Sequence, residues 1–320
     1  MFAGLKSTGI SKKGLYEAVY TISGRFVSIF LVIATTKFLT TFLSEEAYGR
    51  LALYNITATL PSMFYFGPLG QGILRYYPIA RENGEIGAFH REYNLLFRKG
   101  ALAVLSAGVI LSIVFWITGL KHWSIASLLI AILSSAAAFN TFRYGLQNAS
   151  RKRTLAMGLE TGDRVFQQGL AILLLWIVSR DPLIVLGGYV ISSLCFLAIN
   201  RHYYHISFPD TREAHHPAND HYTKGILNYS WPFVVFGVFF WIQSASERWT
   251  LEILQSTEMV GQYAVLNQIG FQGSGSPHLW RQRFGLSRIW RISRFSLDGN
   301  LIENSPAPPH TLAMTKSVFT

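Results

Sequence analysis

Uncharged stretches of about twenty residues recur along this chain, and they restrict its fold more than any motif does. Residues 101–120, 123–142 and 182–200 contain no Asp, Glu, Lys or Arg, and neither do 51–74 and 225–246. About twenty apolar residues are what a helix needs to cross the hydrocarbon of a bilayer. Two further stretches are less clean. Residues 16–42 include Glu17, Arg25 and Lys37, and residues 155–179 include Glu160, Asp163 and Arg164 in their early turns. An eighth starts near Met259 and stops near Gln272. Runs this continuous predict helices, because barrel strands alternate apolar and polar residues. A helix also pairs its backbone groups within its own segment, as hydrocarbon requires. Only 14% of the residues are charged, against about 25% in soluble domains. The expected fold is an all-α integral membrane protein of about eight transmembrane helices.

The connectors carry an orientation signal. Counted between spans, fifteen Lys and Arg fall on the side of the N-terminus and four, Arg50, Lys121, Arg180 and Arg248, on the other. Basic connectors stay cytoplasmic, so the N-terminus is expected in the cytoplasm. This asymmetry accounts for most of the net charge of +11 without invoking nucleic acid. The N-terminal Lys6, Lys12 and Lys13 ahead of an apolar stretch resemble a signal sequence. The apolar part is long and lacks a small-residue cleavage site, so it reads as a retained first span. Cys195 is the one cysteine, so no internal disulfide forms and the redox compartment is not legible.

The chain also resembles itself. "LSEEAYGRLALYNI" from Leu43 aligns with "QSTEMVGQYAVLNQ" from Gln255 at an offset of 212 residues. Ser44, Glu46, Gly49, Ala52 and Asn55 meet Ser256, Glu258, Gly261, Ala264 and Asn267. Each copy follows a span that starts on the basic side, six spans apart, so both copies share one orientation. Parallel six-helix repeats are a transporter architecture. The expected organisation is a six-helix bundle over 1–200, a cytoplasmic linker over 201–224, the start of a second repeat over 225–272, and a basic polar tail over 273–320. The tail holds Arg281, Arg283, Arg288, Arg291 and Arg294 and loses the apolar pattern within the eighth span. That break gives the expectation of a tail foreign to the fold or out of frame, on a chain shortened at its C-terminus. A natural basic cytoplasmic tail is the other reading.

Several residues invite a chemical reading. Arg25 lies inside the first span, where a charge costs about 2.5–3.5 kcal/mol on insertion scales. It suits a water-filled cavity, a structural pair with an acid, or a shallow position at the interface. Arg75 is either an orientation anchor or a ligand for anions. Gly67, Pro68, Gly70 and Gly72 weaken the second span and suit a hinge in a cavity wall; small residues also permit close helix packing. Gln243 and Glu247 share one face of the seventh span beside Arg248. They suit hydrogen bonding to sugar hydroxyls, or a plain interfacial end between Trp241 and Trp249. Glu160, Asp163 and Arg164 form a local pair or an ion-coupling site. His202, His205, His215, His216 and His221 read as a solvated loop rather than a metal site. "RKR" at 151–153 attracts anionic lipid or simply fixes topology. There is no Walker loop, zinc-protease helix or serine elbow, so no catalytic residue, metal or cofactor is expected, and the chain reads as a non-enzyme.

"FLSEEAYGRLALYNI", "GPLGQGILRYYPIA" and "YSWPFVVFGVFFWIQSASERWTLEILQSTEMVGQYAVL" resemble bacterial polysaccharide-biosynthesis transporters. These are the O-antigen, or lipid-linked oligosaccharide, flippases of the larger group that includes multidrug extruders. The resemblance covers roughly residues 10–272. It implies two bundles of six or more helices around a cationic cavity in the bacterial plasma membrane. The implied partner is an undecaprenyl-linked glycan, with membrane lipids and, as assembly partners, a glycan polymerase or glycosyltransferases. Arg25 best fits the cavity arginine that the resemblance implies, with Arg75 and Arg248 behind it. Two alternatives stand beside transport of this kind: ion-coupled export of small molecules, and an inactive fragment or assembly partner of a glycan synthesis complex. The orientation is directly testable. Topology reporters fused in the connectors at Lys121 and Arg151 are expected to report opposite compartments, with Arg151 in the cytoplasm; a common compartment for the two contradicts the reading.

Overall fold

The computed structural model describes residues 12–207 and 221–273. The chain divides into residues 1–269 and 270–320, and the description below concerns the first unit. The expected tail, with its arginines, lies outside the described residues, as do His215 and His216.

Every described element is helical. The helices are α1 (Lys12–Phe42), α2 (Glu45–Pro61), α3 (Gly67–Glu82), α4 (Ile86–Ile117), α5 (Lys121–Ala149), α6 (Arg153–Ile177), α7 (Pro182–Ser207), α8 (His221–Leu254) and α9 (Thr257–Gly273). One wide π-helical turn, Ser62–Phe66, joins α2 to α3, so these three pieces together form the second expected span. Each of the eight apolar stretches therefore coincides with a helix. Four helical segments are long and apolar enough to cross a bilayer: Ile86–Ile117, Lys121–Ala149, Pro182–Tyr204 and Tyr222–Leu254. α1 has a shorter apolar part, Ile29–Phe42. The protein is an all-α membrane protein. The helices outrun their apolar cores. α4 starts fifteen residues before residue 101, and α7 continues to Ser207, into the expected linker.

The wide turn has a local cause. Pro68 has no N–H and its ring crowds the carbonyl four residues back, so regular pairing fails just before it. Gly67 instead donates its N–H to Ser62 O, five residues away, and a Cβ on Gly67 would stand 2.7 Å from that oxygen. Gly72 has a different role: a Cβ there would reach Ser230 Oγ at 2.6 Å and Ile226 O at 2.9 Å. It lets α3 lie directly on α8. Gly70 has nothing within 4 Å.

The main helix contacts are α4 on α5 and α6 on α7 between chain neighbours, and α5 on α7, α1 on α6 and α3 on α8 between helices farther apart in sequence. Two buried clusters result. Tyr77, Phe89, Tyr93, Phe97, Phe142, Tyr204, Tyr222 and Ile226 fill the end nearest the basic connectors. Leu39, Tyr48, Leu51, Tyr54, Ile130, Leu175, Leu186 and Tyr189 fill the other. At the basic end Glu92, only 3% exposed, accepts the backbone N–H and the hydroxyl of Thr223 at 2.8 and 2.9 Å. It thus caps α8 from another helix, where a carboxylate is favoured by the free N–H groups. Glu85 accepts the hydroxyl of Tyr222 at 2.6 Å.

At the opposite end the sequence repeat takes physical form. Ser44 accepts the N–H of Ala47 at 3.2 Å and starts α2. Ser256 accepts the N–H of Met259 at 3.4 Å and starts α9. The two helices then cross backbone to backbone. A Cβ on Gly49 would overlap Thr257 O, and a Cβ on Gly261 would overlap Glu45 O. Each struck carbonyl lies four residues before the other glycine, so the contact is two-fold symmetric about the 212-residue offset. Gln262 donates to Glu45 Oε2 across the crossing at 2.6 Å.

Because backbone atoms cannot yield as a flexible side chain does, Gly49→Ala and Gly261→Ala are each expected to lose about 1–3 kcal/mol, read as a lower Tm in detergent. Gly70→Ala is expected to hold or raise the Tm, since Ala outranks Gly inside a helix by roughly 0.5–1 kcal/mol. Equal losses in all three contradict the symmetric crossing.

Candidate functional site

Beside the crossing of α2 and α9, from Tyr48 and Ala264 inward, lies a polar cleft of about 220 Å³. Its walls come from six helices. α1 supplies Thr35 and Thr36, α2 supplies Tyr48, Asn55 and Thr59, and α6 and α7 supply Gln168 and Tyr189. α8 supplies Arg248 and α9 supplies Gln268. Asn55 lies ten residues into α2, so the cleft reaches about 15 Å along that helix. Some of its polar atoms are satisfied locally. Thr36 donates to Val32 O at 2.8 Å, Tyr189 donates to Gln168 Oε1 at 3.3 Å, and Tyr48 donates to Gln268 Oε1 at 3.4 Å. Others are buried without a hydrogen-bond partner: Thr35 Oγ1 and Arg248 Nε.

Arg248 is the charged residue among those lining this cleft. Its Nη1 donates to Ser244 O, one turn earlier on α8, at 3.2 Å. The guanidinium has five donors in a planar fork, so most of its capacity is left for an anion. Hydroxyls and amides around one guanidinium are the donor set for a polyhydroxylated, anionic head group. The volume is below the roughly 300–1,000 Å³ of an open ligand site, so in this conformation the cleft holds only part of a large head group.

The structure separates the other residues singled out in the sequence. Arg75, on α3, is exposed, and its guanidinium lies 4.7 Å over the ring of Tyr229. Tyr229 and Arg248 are nineteen residues apart on α8, a rise of about 28 Å, so the two arginines serve opposite ends. Glu247 accepts the hydroxyl of Tyr263 and points away from the cleft lining, and Gln243 is exposed on the same helix. Trp241 donates its indole N–H to Ile56 O at 3.1 Å, and Trp249 stacks on Trp123 at 5.8 Å. Arg25 lies within α1, and its side chain is outside the described residues. Gly67, Pro68, Gly70 and Gly72 lie on α3, below the wide turn and away from the cleft.

A second polar pocket, of about 670 Å³, lies among α5, α6 and α7 and is lined by Tyr144, Arg153, Glu160, Asp163, Arg164 and Ser193 among others. Glu160 and Arg164 form the local ion pair, at 2.7 Å. Asp163 stays out of it: Oδ2 accepts from Tyr144 at 3.2 Å, and Oδ1 is buried without a hydrogen-bond partner. Among the described residues no group of three or more His, Cys, Asp or Glu gathers as a metal site.

Sequence reasoning missed Thr35, Thr36, Gln168 and Tyr189. Asn55 was within reach, as an amide inside an uncharged span and a position repeated at Asn267.

Fold and site together define a multi-pass, all-helical membrane protein with an arginine-bearing polar cleft lined from six helices. The family model described as polysaccharide biosynthesis protein matches residues 15–276. The chain belongs to that family. No curated protein and no solved structure matches it.

If Arg248 sets the charge of the cleft, it also sets which reagents enter. In a Cys195→Ser background, Asn55→Cys is expected to react several-fold faster with an anionic thiol reagent than with a cationic one. Adding Arg248→Gln is expected to erase that preference, whereas Arg75→Gln is expected to leave it intact. An unchanged preference in Arg248→Gln contradicts the assignment.

Proposed function

We propose that the chain translocates lipid-linked oligosaccharide or polysaccharide precursors across the bacterial inner membrane, with its N-terminus in the cytoplasm. The substrate class in this reading is a glycan on an undecaprenyl pyrophosphate carrier, met in the membrane near the glycosyltransferases or polymerase that make and use it. The observation that carries the reading is the cleft itself: one inward guanidinium among hydroxyls and amides, inside a bundle of the polysaccharide biosynthesis family. A lipid-linked glycan keeps its chain in the bilayer while its head crosses. The head then needs a polar path with a fixed positive charge, because a charge in hydrocarbon is costly. Alternating access fits the symmetric contact. Parting α2 from α9 at Gly49 and Gly261 would open the cleft on the weakly charged side, and rocking of the two repeats is a known way to do so.

A second reading, ion-coupled export of small molecules, is favoured by one observation, the unpaired Oδ1 of Asp163 in its own polar pocket. The two separate in vesicles. With a fluorescent lipid-linked oligosaccharide in the bilayer, the protein is expected to expose the labelled head to an external quencher. Arg248→Gln is expected to slow this at least tenfold, and Asp163→Asn to have a lesser effect. No head-group movement, together with proton-driven export of a small fluorescent cation that Asp163→Asn abolishes, supports the exporter instead.

A further inference from the structure

Two tyrosine–glutamine pairs line the polar cleft. Tyr48 of α2 donates to Gln268 Oε1 of α9 at 3.4 Å, and Tyr189 of α7 donates to Gln168 Oε1 of α6 at 3.3 Å. We propose that Tyr48 and Tyr189 are positioning residues. Each occupies the carbonyl of its glutamine and leaves the amide N–H groups for a ligand, so the cleft selects the anionic group of the head over a neutral sugar. The inference rests on the transport reading above and names the part of that substrate the cleft reads.

A carboxamide has an acceptor at one end and two donors at the other, so an unfixed glutamine serves either kind of partner. A hydroxyl that donates to Oε1 removes that choice. Neither Gln168 Nε2 nor Gln268 Nε2 donates to another described residue. Two further donors in the cleft are unspent. Thr35, only 4% exposed, has its hydroxyl buried without a hydrogen-bond partner, and Arg248 Nε is buried in the same state. The two pairs reach the cleft from different sides, one across α2 and α9 and the other across α6 and α7.

The balance of donors and acceptors then discriminates between ligands. No Asp or Glu lines the cleft. The hydroxyl protons of Thr36 and Thr59 already go to Val32 O at 2.8 Å and Ile56 O at 2.6 Å. Asn55 offers an amide oxygen and the hydroxyls offer lone pairs, whereas Arg248, Gln168 and Gln268 present donors. Each hydroxyl of a neutral sugar brings a proton that needs an acceptor, and a buried donor without one is costly. An oxyanion brings acceptors only, and its bonds to guanidinium and amide N–H groups are the stronger, charge-assisted kind.

The size of the cleft agrees. Its 220 Å³ is roughly the space of seven waters, room for one charged group and not for a whole oligosaccharide. A phosphate of the carrier link and a carboxylate of an acidic sugar share the required chemistry, and the two competitors below tell them apart.

The test uses the purified full chain in detergent, carrying Cys195→Ser and Asn55→Cys, and follows the rate at which a neutral thiol reagent labels position 55. Inorganic pyrophosphate, glucuronate and glucose are the competitors. Pyrophosphate or glucuronate is expected to slow labelling, and glucose at the same concentration is not. The better of the two anions identifies the occupant as the carrier link or an acidic sugar. Tyr48→Phe and Tyr189→Phe are each expected to raise the half-protecting anion concentration about tenfold, near the lower end of what one hydrogen bond to a charged group is worth. The labelling rate without anion is expected to stay the same. Gln168→Leu is expected to cost as much as Tyr189→Phe, and the two together no more than either, because one acts through the other. Tyr54→Phe, which removes a buried hydroxyl outside the cleft, is expected to change nothing. No slowing by either anion, equal slowing by glucose, undiminished protection in both tyrosine variants, or losses that add in the double variant overturns the inference. Because no lipid-linked glycan is used, the two readings fail separately. Anion selection through Tyr48 and Tyr189 without glycan translocation defeats the transport reading alone. Translocation without that selection defeats this inference alone.

Discussion

Backbone contact between α2 and α9 is the constraint on which the rest of the structure depends. Two helices approach this closely only where both lack a side chain, and Gly49 and Gly261 provide that on each. The contact is symmetric because both helices begin the same way, with a serine accepting the N–H three residues on. It brings α9 against α2 and so sets the distance of α8 from α1. Arg248 is thereby turned into a space bounded by Thr35, Asn55 and Gln168 rather than out to lipid. Without the crossing the polar side chains of α1, α2, α6 and α7 would face no cation.

The opposite end is held differently. There α8 is fixed by carboxylates of the α4 region, with Glu92 at its first N–H groups and Glu85 on Tyr222, and by an aromatic cluster in which Tyr93 and Tyr204 share a hydrogen bond of 2.5 Å. One end thus relies on polar bonds buried among rings, the other chiefly on close contact between backbones at Gly49 and Gly261. In water-poor surroundings the first is costly to break, because its partners are left unsatisfied. The second has fewer bonds to break, Gln262 to Glu45 at the exposed rim and Tyr48 to Gln268 at 3.4 Å. That difference suits a bundle that opens at the α2–α9 end while the α4–α8 end stays shut.

Much of the architecture was legible in the sequence for one reason. Hydrocarbon leaves few ways to satisfy a backbone, so uncharged runs near residues 51–74, 101–120 and 182–200 have to be helices. The correspondence of Gly49 with Gly261 was legible because the same offset preserved cap, glycine and Asn together, but that the two glycines touch was not. Legibility failed where tertiary packing decides. The polar first turns of α4, with His90, Arg91 and Glu92, break the apolar pattern, yet they are helical and Glu92 is buried as a cap for another helix. The cleft residues Thr35, Gln168 and Tyr189 look ordinary in their own spans and gain meaning only by converging. The glycines near Gly67 read as one hinge, but the structure divides their roles. Gly67 serves the wide turn, Gly72 serves contact with α8, and Gly70 touches nothing within 4 Å.

The central claim is that α2 and α9 meet over the cleft and must part for a head group to pass. Glu45 and Gln262 face each other across that meeting. In a Cys195→Ser background, Glu45→Cys with Gln262→Cys is expected to form a disulfide, seen as a faster band on a non-reducing gel after cleavage-free extraction. Translocation should stop when the bond forms and return with reductant. A disulfide that forms and leaves translocation unchanged contradicts the account, as does a pair that never crosslinks under mild oxidation.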